Sequence, residues 1–395
     1  MHTTRVSPSE AREVEAPPPA RLIGVDVARG LAVLGMFAAH VGPPGWLHTL
    51  VAGRSAALFA VLAGLSIALL SGGSAPIAGT RSRVVLRIAI RAVVLFVLGL
   101  ALSALQAPVM VILTSYGVLF LLSIPVLRWR ATALAVLAAV FAVAGPLVSF
   151  FIRQGMGQAT EFGATPGFDD FGSLAGIGTA FQNILLTGAY PVLTWIPFVL
   201  AGMALGRLEL RAVRGRIAVI GAGLALLGYG GSWLAMTVFG GRDRVVELMG
   251  GALPPEMVDM LLSTGFGAVP TTDPVFLLSA GAHSGSPFEI IGATGSALLV
   301  VGVCLFVERT GVLLPVASVG ALALTAYAGH IVALAAVGTS RLGPIREAWP
   351  WIPLLVLVVS TLAIATTWRA LLGRGPLERV LHRVSTVPAS WFGQR

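Results

Sequence analysis

The segment GVDVARGLAVLGMFAAH, residues 24–40, decides the fold. Its apolar length is that of a membrane-spanning helix, yet Asp26 and Arg29 lie near one end and His40 at the other. A charged side chain at the centre of a membrane helix costs about 2.5–3.5 kcal/mol on insertion scales. Because such residues persist in membranes mainly where they pair or act, the segment predicts a membrane helix with a polar feature at each end.

The whole chain has the composition of an integral membrane protein. Of its 395 residues, 56% are hydrophobic and only 11% are charged, whereas soluble proteins carry about 25% charged residues. The net charge of +9 comes from arginines in short loops between apolar runs, which excludes a basic domain for nucleic acid. The single cysteine, Cys304, excludes a disulfide framework and a thiolate metal site.

Apolar segments long enough to span a bilayer recur ten times along the chain. They cover residues 24–42, 50–71, 85–104, 108–127, 131–151, 187–206, 217–239, 287–307, 317–338 and 351–371. Arginine is concentrated in the loops on the side of the amino terminus, so the positive-inside rule places both termini in the cytoplasm. We therefore predict an all-α, polytopic integral membrane bundle of about ten transmembrane helices in the plasma membrane.

The flanking segments are polar. Residues 1–20 predict a disordered cytoplasmic tail without a cleavable signal peptide, 21–375 a single transmembrane domain, and 376–395 a second cytoplasmic tail. Two predicted outer loops, 152–186 and 240–286, are long, and the second suits a short interfacial helix. Loops of this length either cover a site or are mobile surface connections. No internal repeat with paired broken helices, as in transporters, is evident.

Asp26 and Arg29 are three residues apart and so share one face of a helix. They form either an anchoring ion pair at the interface or a docking point for an anionic cofactor, with Arg29 contacting phosphate. His40 lies fourteen residues beyond Asp26, about 21 Å along a helix axis. The charged pair and the histidine therefore belong to opposite membrane faces.

Four of the six histidines fall on the predicted outer half. His40 and His48 flank the tight turn VGPPGWL, beside Arg54, while His330 lies within an apolar segment and His283 precedes another. An imidazole suits proton abstraction from an amine or hydroxyl, although each histidine could instead satisfy a carbonyl or a headgroup. No histidines stand at i, i+4 and no HExxH motif occurs, so we predict no metal.

The amino-terminal motif R-x-x-G-x-D-x-x-R-G-(x9)-H, from Arg21 to His40, resembles the first helix of transmembrane acyltransferases related to heparan-alpha-glucosaminide N-acetyltransferase. Residues 53–69 (GRSAALFAVLAGLSIAL) resemble that family's second helix, so residues 21–105 form an acyltransferase-like part. Towards the carboxy terminus, HSGSPFE, ALTAYAGH and GPLERVLHRVS resemble the bacterial membrane family called domain of unknown function 418. This second part covers residues 280–385.

The resemblance implies transfer of an acetyl group from cytoplasmic acetyl-CoA to an acceptor across the membrane. In the glucosaminide transferases, a catalytic histidine follows an asparagine at the end of the first helix. Here His48 falls near the place of that histidine and His40 in the place of that asparagine, with a shorter turn between them. These departures leave open whether the acceptor is a glucosamine, another envelope sugar, a glycolipid or a small metabolite.

The mechanism that we expect follows from these assignments. Inner residues bind the donor phosphates: Arg29, oriented by Asp26, together with Arg83 and Arg87. His48 acts as general base, while His40 orients the acceptor or stabilises the oxyanion, and His330 supports this catalytic site. The expected acceptor contacts are Arg54, His283 and Tyr327. Direct transfer and an acetyl-imidazole intermediate both fit the sequence.

Two other functions fit the same composition. Ten spans and an intramembrane histidine suit a transporter or exporter of a small polar or lipid-linked molecule, although few acidic residues lie at membrane depth. The sparse charges also suit a structural or regulatory membrane protein without chemistry. Movement of an acetyl label would distinguish the enzyme from both alternatives.

Overall fold

The computed structural model describes residues 22–75, 81–157, 163–250 and 254–386. The predicted amino-terminal tail, Arg21 and the last nine residues of the carboxy-terminal tail lie outside these ranges. Within them the chain is helical and contains no β-strand, only an isolated bridge between Thr264 and Ala282. The all-α class predicted from the apolar pattern is therefore confirmed.

The first half of the chain contributes eight helices. They are α1 (Ile23–Val41), α2 (Trp46–Val51), α3 (Arg54–Leu70), α4 (Arg81–Ser103), α5 (Leu113–Ser123), α6 (Ala131–Gly155), α7 (Leu174–Gln182) and α8 (Val192–Gly206). The turn VGPPGWL separates α1 from the short α2, as its proline and glycine content predicts.

The second half contributes ten more helices. They are α9 (Leu210–Ala225), α10 (Gly231–Trp233), α11 (Gly241–Leu248), α12 (Pro255–Ser263), α13 (Pro287–Cys304), α14 (Leu314–Ala321), α15 (Ala323–Val337), α16 (Thr339–Ala348), α17 (Ile352–Leu372) and α18 (Pro376–Ser385). One π-helical turn (Leu226–Gly230) joins α9 to α10 and a second (Leu234–Val238) continues α10, so that the three form one rod that ends at Val238.

Seven helices among the described residues are long and apolar enough to cross a membrane, and the number rises to nine if each bent helix pair is one span. The segment predicted at 108–127 forms the shorter apolar helix Leu113–Val126. One bent pair turns by 56° between Leu174–Thr187 and Val192–Gly206, and the other by 73° between Gly311–Ala321 and Ala323–Val337. The architecture is that of a helical membrane bundle.

The second bend lies within the segment predicted to span the membrane over 317–338, and as a bent pair this segment can still be one span. The helix breaks at Leu322, and the Glu378 carboxylate from α18 accepts the backbone N–H groups of Leu324 at 2.7 Å and Thr325 at 3.0 Å. A distant carboxylate thus caps the new helix start, a contact that the local sequence of α15 does not reveal.

Glycines let the central helices approach each other closely. A Cβ atom on Gly202 of α8 would lie 1.8 Å from the carbonyl oxygen of Val61 on α3. Likewise, a Cβ on Gly320 of α14 would lie 1.7 Å from the carbonyl oxygen of Asp26 on α1. Such contacts are the usual way in which membrane helices gain packing energy, and they fix α1, which carries both polar features, in the centre of the bundle.

The bundle has two ends, which we name by their residues. The arginine face carries Leu22, α18 and the loop between α8 and α9, in which the Arg207 guanidinium donates to the Ala68 carbonyl at 2.9 Å. The histidine face carries α2 and the long loop 240–286. That loop forms α11 and α12, which confirms the predicted short helix, and Arg242 joins the two by an ion pair with Asp259 at 2.7 Å.

Candidate functional site

The centre of the candidate site is a pair of histidines from α1 and α15. His40 Nδ1 lies 3.1 Å from His330 Nε2, and the two rings stack with centroids 5.3 Å apart. His330 is only 2% exposed, and the ring of Phe37 packs against it at 4.9 Å. The structure therefore brings together two of the three predicted catalytic histidines, which are 290 positions apart in sequence.

Hydrogen bonding around His330 assigns the tautomers of this pair. The second ring nitrogen of His330, Nδ1, bonds to the backbone carbonyl oxygen of Tyr327. Because a carbonyl oxygen only accepts, Nδ1 of His330 carries the proton, and its Nε2 accepts in the neutral ring. His40 must then donate from Nδ1, so the lone pair of neutral His40 is on Nε2. Such a nitrogen can act as a general base.

His48 and His283 lie in the same region as the pair. His40 interacts electrostatically with His330, His283 and His48. His283, in the loop before α13, stacks on Trp195 at 6.1 Å, and burial followed by the nearby His48 lowers its pKa to about 4. The clustering of four histidines at one face, predicted from sequence, is thus found in the structure.

A cavity of about 460 Å³ lies at the histidine face. Its polar lining includes His48, Arg54, Tyr229, Arg242, Asp259 and Glu289. The Arg54 guanidinium lies 4.3 Å above the Tyr229 ring, which holds the positive charge at the cavity wall. Helices α11 and α12 contribute part of the lining, so the loop 240–286 covers this cavity.

Glu289 is a cavity residue that the sequence analysis did not include among the site residues. It is 4% exposed and lies in the first turn of α13, where its backbone N–H donates to the Ser286 hydroxyl at 3.0 Å. Its carboxylate accepts backbone N–H groups of His283 and Gly285. The sequence SPFE contains a signal for Glu289, because a Ser followed three residues later by a Glu is the pattern of a helix capping box.

A second cavity, of about 450 Å³, lies at the arginine face. Its polar lining residues are Arg29, Ser66, Arg91, Tyr116 and Glu378. Along α3 the lining extends from Leu70 to Phe59, which is eleven residues or about 17 Å of helix. The cavity is therefore an elongated, largely apolar space with cationic groups near one end.

The predicted pair of Asp26 and Arg29 forms at this cavity. Arg29 Nη1 lies 3.3 Å from Asp26 Oδ1, and Arg29 Nη2 donates to the Ser66 hydroxyl at 2.8 Å. Asp26 is 3% exposed and does not line the cavity, whereas Arg29 does. The carboxylate thus orients a guanidinium that an anionic ligand can reach.

The other predicted inner arginines occupy one face of α4. Arg83 and Arg87 repeat at helical spacing with Arg91, but of the three only Arg91 lines the cavity. Arg91 also donates to the Ser385 hydroxyl of α18 at 3.2 Å. Arg91 was not predicted to bind the donor, although its spacing of four residues from Arg87 places it on the same helix face.

Aromatic rings separate the arginine-face cavity from the histidine pair. Phe59 stacks between Tyr116 at 5.8 Å and Tyr327 at 5.9 Å, and the Tyr327 ring lies 5.3 Å from that of His330. Tyr327, expected to contact the acceptor, is 1% exposed, and its hydroxyl accepts the Ile112 N–H at 3.1 Å. It therefore lies between the arginine-face cavity and the histidine pair.

No group of three or more His, Cys, Asp or Glu side chains within the described ranges is arranged to hold a metal ion. The chemistry available at the site is that of imidazoles, a buried carboxylate and guanidinium groups.

These features define a polytopic helical membrane protein with a buried histidine pair and cavities at both faces. Residues 21–228 match the family model described as heparan-alpha-glucosaminide N-acetyltransferase, catalytic, so the chain belongs to this family of membrane acetyltransferases. Residues 262–388 match a protein family of unknown function, domain of unknown function 418. No curated protein is similar enough to the chain to count as a match.

Both resemblances read from the sequence motifs are therefore confirmed. The first match extends to Gly228, beyond the part up to residue 105 that carried the resemblance. His40 and His48 lie within the first match, whereas His283 and His330 lie within the second. The histidine cluster is thus assembled from both parts of the chain.

Proposed function

We propose that this protein moves the acetyl group of acetyl-CoA to an amine or hydroxyl of a sugar or envelope-linked acceptor. The observation that carries the proposal is that two cavities approach the His40–His330 pair, one through its lining residue His48 and the other through the stack of Phe59 on Tyr327. In this proposal the arginine face is cytoplasmic and receives the donor, and the histidine face of the plasma-membrane protein receives the acceptor.

Donor binding follows from the shape and charge of the arginine-face cavity. Arg29, held by Asp26, and Arg91 lie where they can contact phosphates, and the remaining lining is mostly apolar. Arg83 and Arg87 add positive charge along α4 outside the cavity. The pantetheine arm extends along α3 towards Phe59, so that the thioester approaches the histidine pair.

His40 is the general base in this proposal, because its Nε2 carries the lone pair. It accepts the proton of the acceptor amine or hydroxyl as the acceptor forms a bond to the thioester carbonyl carbon. The carbon–sulfur bond then breaks, and the proton passes to the leaving thiolate. His330 positions His40, while the lining residues His48, Arg54 and Glu289 hold the acceptor in its cavity and His283 lies nearby.

The test is acetyl transfer by the purified protein in lipid nanodiscs. Radiolabelled acetyl-CoA is supplied with glucosamine or glucose as acceptor probes, and thermal stability is measured with and without donor. We expect donor to raise the melting temperature and label to move to an acceptor, with transfer lowered about 10²–10⁴-fold in His40→Ala. His2→Ala, which removes an imidazole elsewhere in the chain, is the control. If donor neither stabilises the protein nor loses its label, the acetyltransferase proposal is wrong.

Sidedness is tested in sealed proteoliposomes. Acetyl-CoA added on one side only should label an acceptor trapped on the other side. Labelling that occurs only when donor and acceptor share a compartment would contradict the proposed path.

Transport is the second candidate, and the two bent helix pairs favour it. Broken helices line substrate sites in many transporters, and the bends here are 56° and 73°. Uptake of glucosamine into proteoliposomes in the absence of acetyl-CoA would support transport. Flux that requires acetyl-CoA would support the enzyme instead.

A further inference from the structure

Tyr116 interacts electrostatically with two other buried tyrosines, Tyr190 and Tyr327, but differs from both in its hydrogen bonding. The Tyr190 hydroxyl donates to the Met110 carbonyl at 3.4 Å, and the Tyr327 hydroxyl accepts the Ile112 N–H at 3.1 Å. The Tyr116 hydroxyl interacts electrostatically with both, but has no hydrogen-bond partner among the residues that the structure describes. Tyr116 is 2% exposed, and a buried hydroxyl without a partner is unfavourable in a folded protein.

Tyr116 lies at the cavity in which the donor is proposed to bind. Tyr116 lines the arginine-face cavity and stacks on Phe59, the lining residue of α3 farthest from Leu70. The cavity's other polar lining residues are Arg29, Ser66, Arg91 and Glu378. Arg29 and Ser66 bond to each other, and Glu378 caps α15. Tyr116 is therefore a lining residue whose enclosed hydroxyl has no partner within the described ranges, in a part of the lining that is otherwise aliphatic or aromatic.

We propose that the Tyr116 hydroxyl donates a hydrogen bond to an amide carbonyl of the donor's pantetheine arm. This inference rests on the proposed function, and it makes Tyr116 a donor-binding residue. An arm that enters an apolar cavity loses water from its amides, and each amide carbonyl then needs a protein donor. A neutral hydroxyl suits an amide, whereas the arginines near the other end suit phosphate.

The experiment uses two donor probes and the full-length protein in nanodiscs. Acetyl-CoA contains phosphates, amides and the thioester, while S-acetyl-N-acetylcysteamine contains the thioester and one amide but no phosphate. We expect Tyr116→Phe to weaken binding of both probes about fivefold, because one neutral hydrogen bond is lost. Arg29→Ala should weaken acetyl-CoA binding alone, because only that probe carries phosphate.

Thermal stability of the ligand-free variants separates binding from folding. Tyr116→Phe should melt at or above the wild-type temperature, because its hydroxyl has no protein partner to lose. Tyr190→Phe is the matched control: it loses the Met110 bond, so its melting temperature should fall while its affinity for both probes is retained.

The outcomes distinguish this inference from the proposed function. If wild type binds both probes and Tyr116→Phe binds them equally well, the inference is wrong and the acetyltransferase proposal stands. A marked fall in the melting temperature of Tyr116→Phe would also overturn it, since the hydroxyl would then be bonded within the protein. A wild type that binds neither probe contradicts both proposals.

Discussion

His40 Nδ1 and His330 Nε2 are joined by a 3.1 Å contact between the two family-matched parts of the chain. The Tyr327 carbonyl fixes the proton on His330 Nδ1, so the contact fixes the tautomer of His40. A carboxy-terminal part of unknown function thus controls the basic nitrogen contributed by an amino-terminal acetyltransferase part. This arrangement leads to the first prediction.

Replacing His330 should affect catalysis through the orientation of His40. We expect His330→Phe to lower kcat about 10²-fold, because Nδ1–H of His40 loses its acceptor. His330→Gln offers a carbonyl oxygen close to the position of Nε2 and should retain an intermediate kcat. Steady-state kinetics across pH checks this, and the acidic limb of the profile should move in His330→Phe. If kcat fell equally in the two variants and neither pH profile changed, His330 would have only a packing role.

Removing Arg29 should weaken donor binding and leave the chemical step largely intact. A hydrogen bond to a charged group contributes about 1.5–3 kcal/mol, so Arg29→Ala should raise KM for acetyl-CoA about tenfold or more. Asp26→Asn should have a smaller effect in the same direction, because the guanidinium is retained but less well oriented. Arg211→Ala, at an exposed position of α9, is the control. A change in kcat at constant KM would argue against phosphate binding by Arg29.

The close contact between α1 and α14 should not tolerate a methyl group. A Cβ on Gly320 would lie 1.7 Å from the Asp26 carbonyl oxygen, so Gly320→Ala should push the helices apart and destabilise the protein by about 1–3 kcal/mol or more. Gly329→Ala is a matched control on α15, where a Cβ meets nothing within 4 Å. Melting temperatures in detergent measure both. Comparable values for the two variants would show that the glycine contact does not limit packing.

Acid should destabilise the protein partly through His283. Its pKa in the folded protein is about 4, below the ordinary 6.5, because the ring is buried. Between these values the unfolded chain binds a proton that the folded protein does not, so stability falls as pH drops from about 6.5 to 4. His283→Asn, which tolerates the left-handed backbone at φ 58°, should flatten this dependence. Melting curves at pH 7 and pH 5 test it, and an unchanged slope would exclude His283 as a contributor.

Much of the site was predictable because some of its parts are local in sequence. The spacing of Asp26 and Arg29 on one helix face predicted their ion pair, and the proline and glycine after His40 predicted the end of α1. The SPFE capping box was an unused signal for Glu289, and burial together with the cavity lining shows that this residue belongs to the site. Arg91 was not predicted, although it repeats the spacing of Arg83 and Arg87, and Tyr116 was not predicted because a tyrosine in an apolar helix has no distinctive local pattern.

The sequence by itself determined that the chain is an all-α membrane protein of the acetyltransferase class. Hydropathy measures the free energy of transferring a segment from water to lipid, and this free energy depends mainly on the residues of that segment. Tertiary structure decided that His330 pairs with His40, that Glu378 caps a helix broken at Leu322, and that an aromatic stack separates the arginine-face cavity from the histidine pair. These contacts join residues tens to hundreds of positions apart. Their formation depends on how glycine-lined helices pack together, and composition and periodicity do not encode that packing.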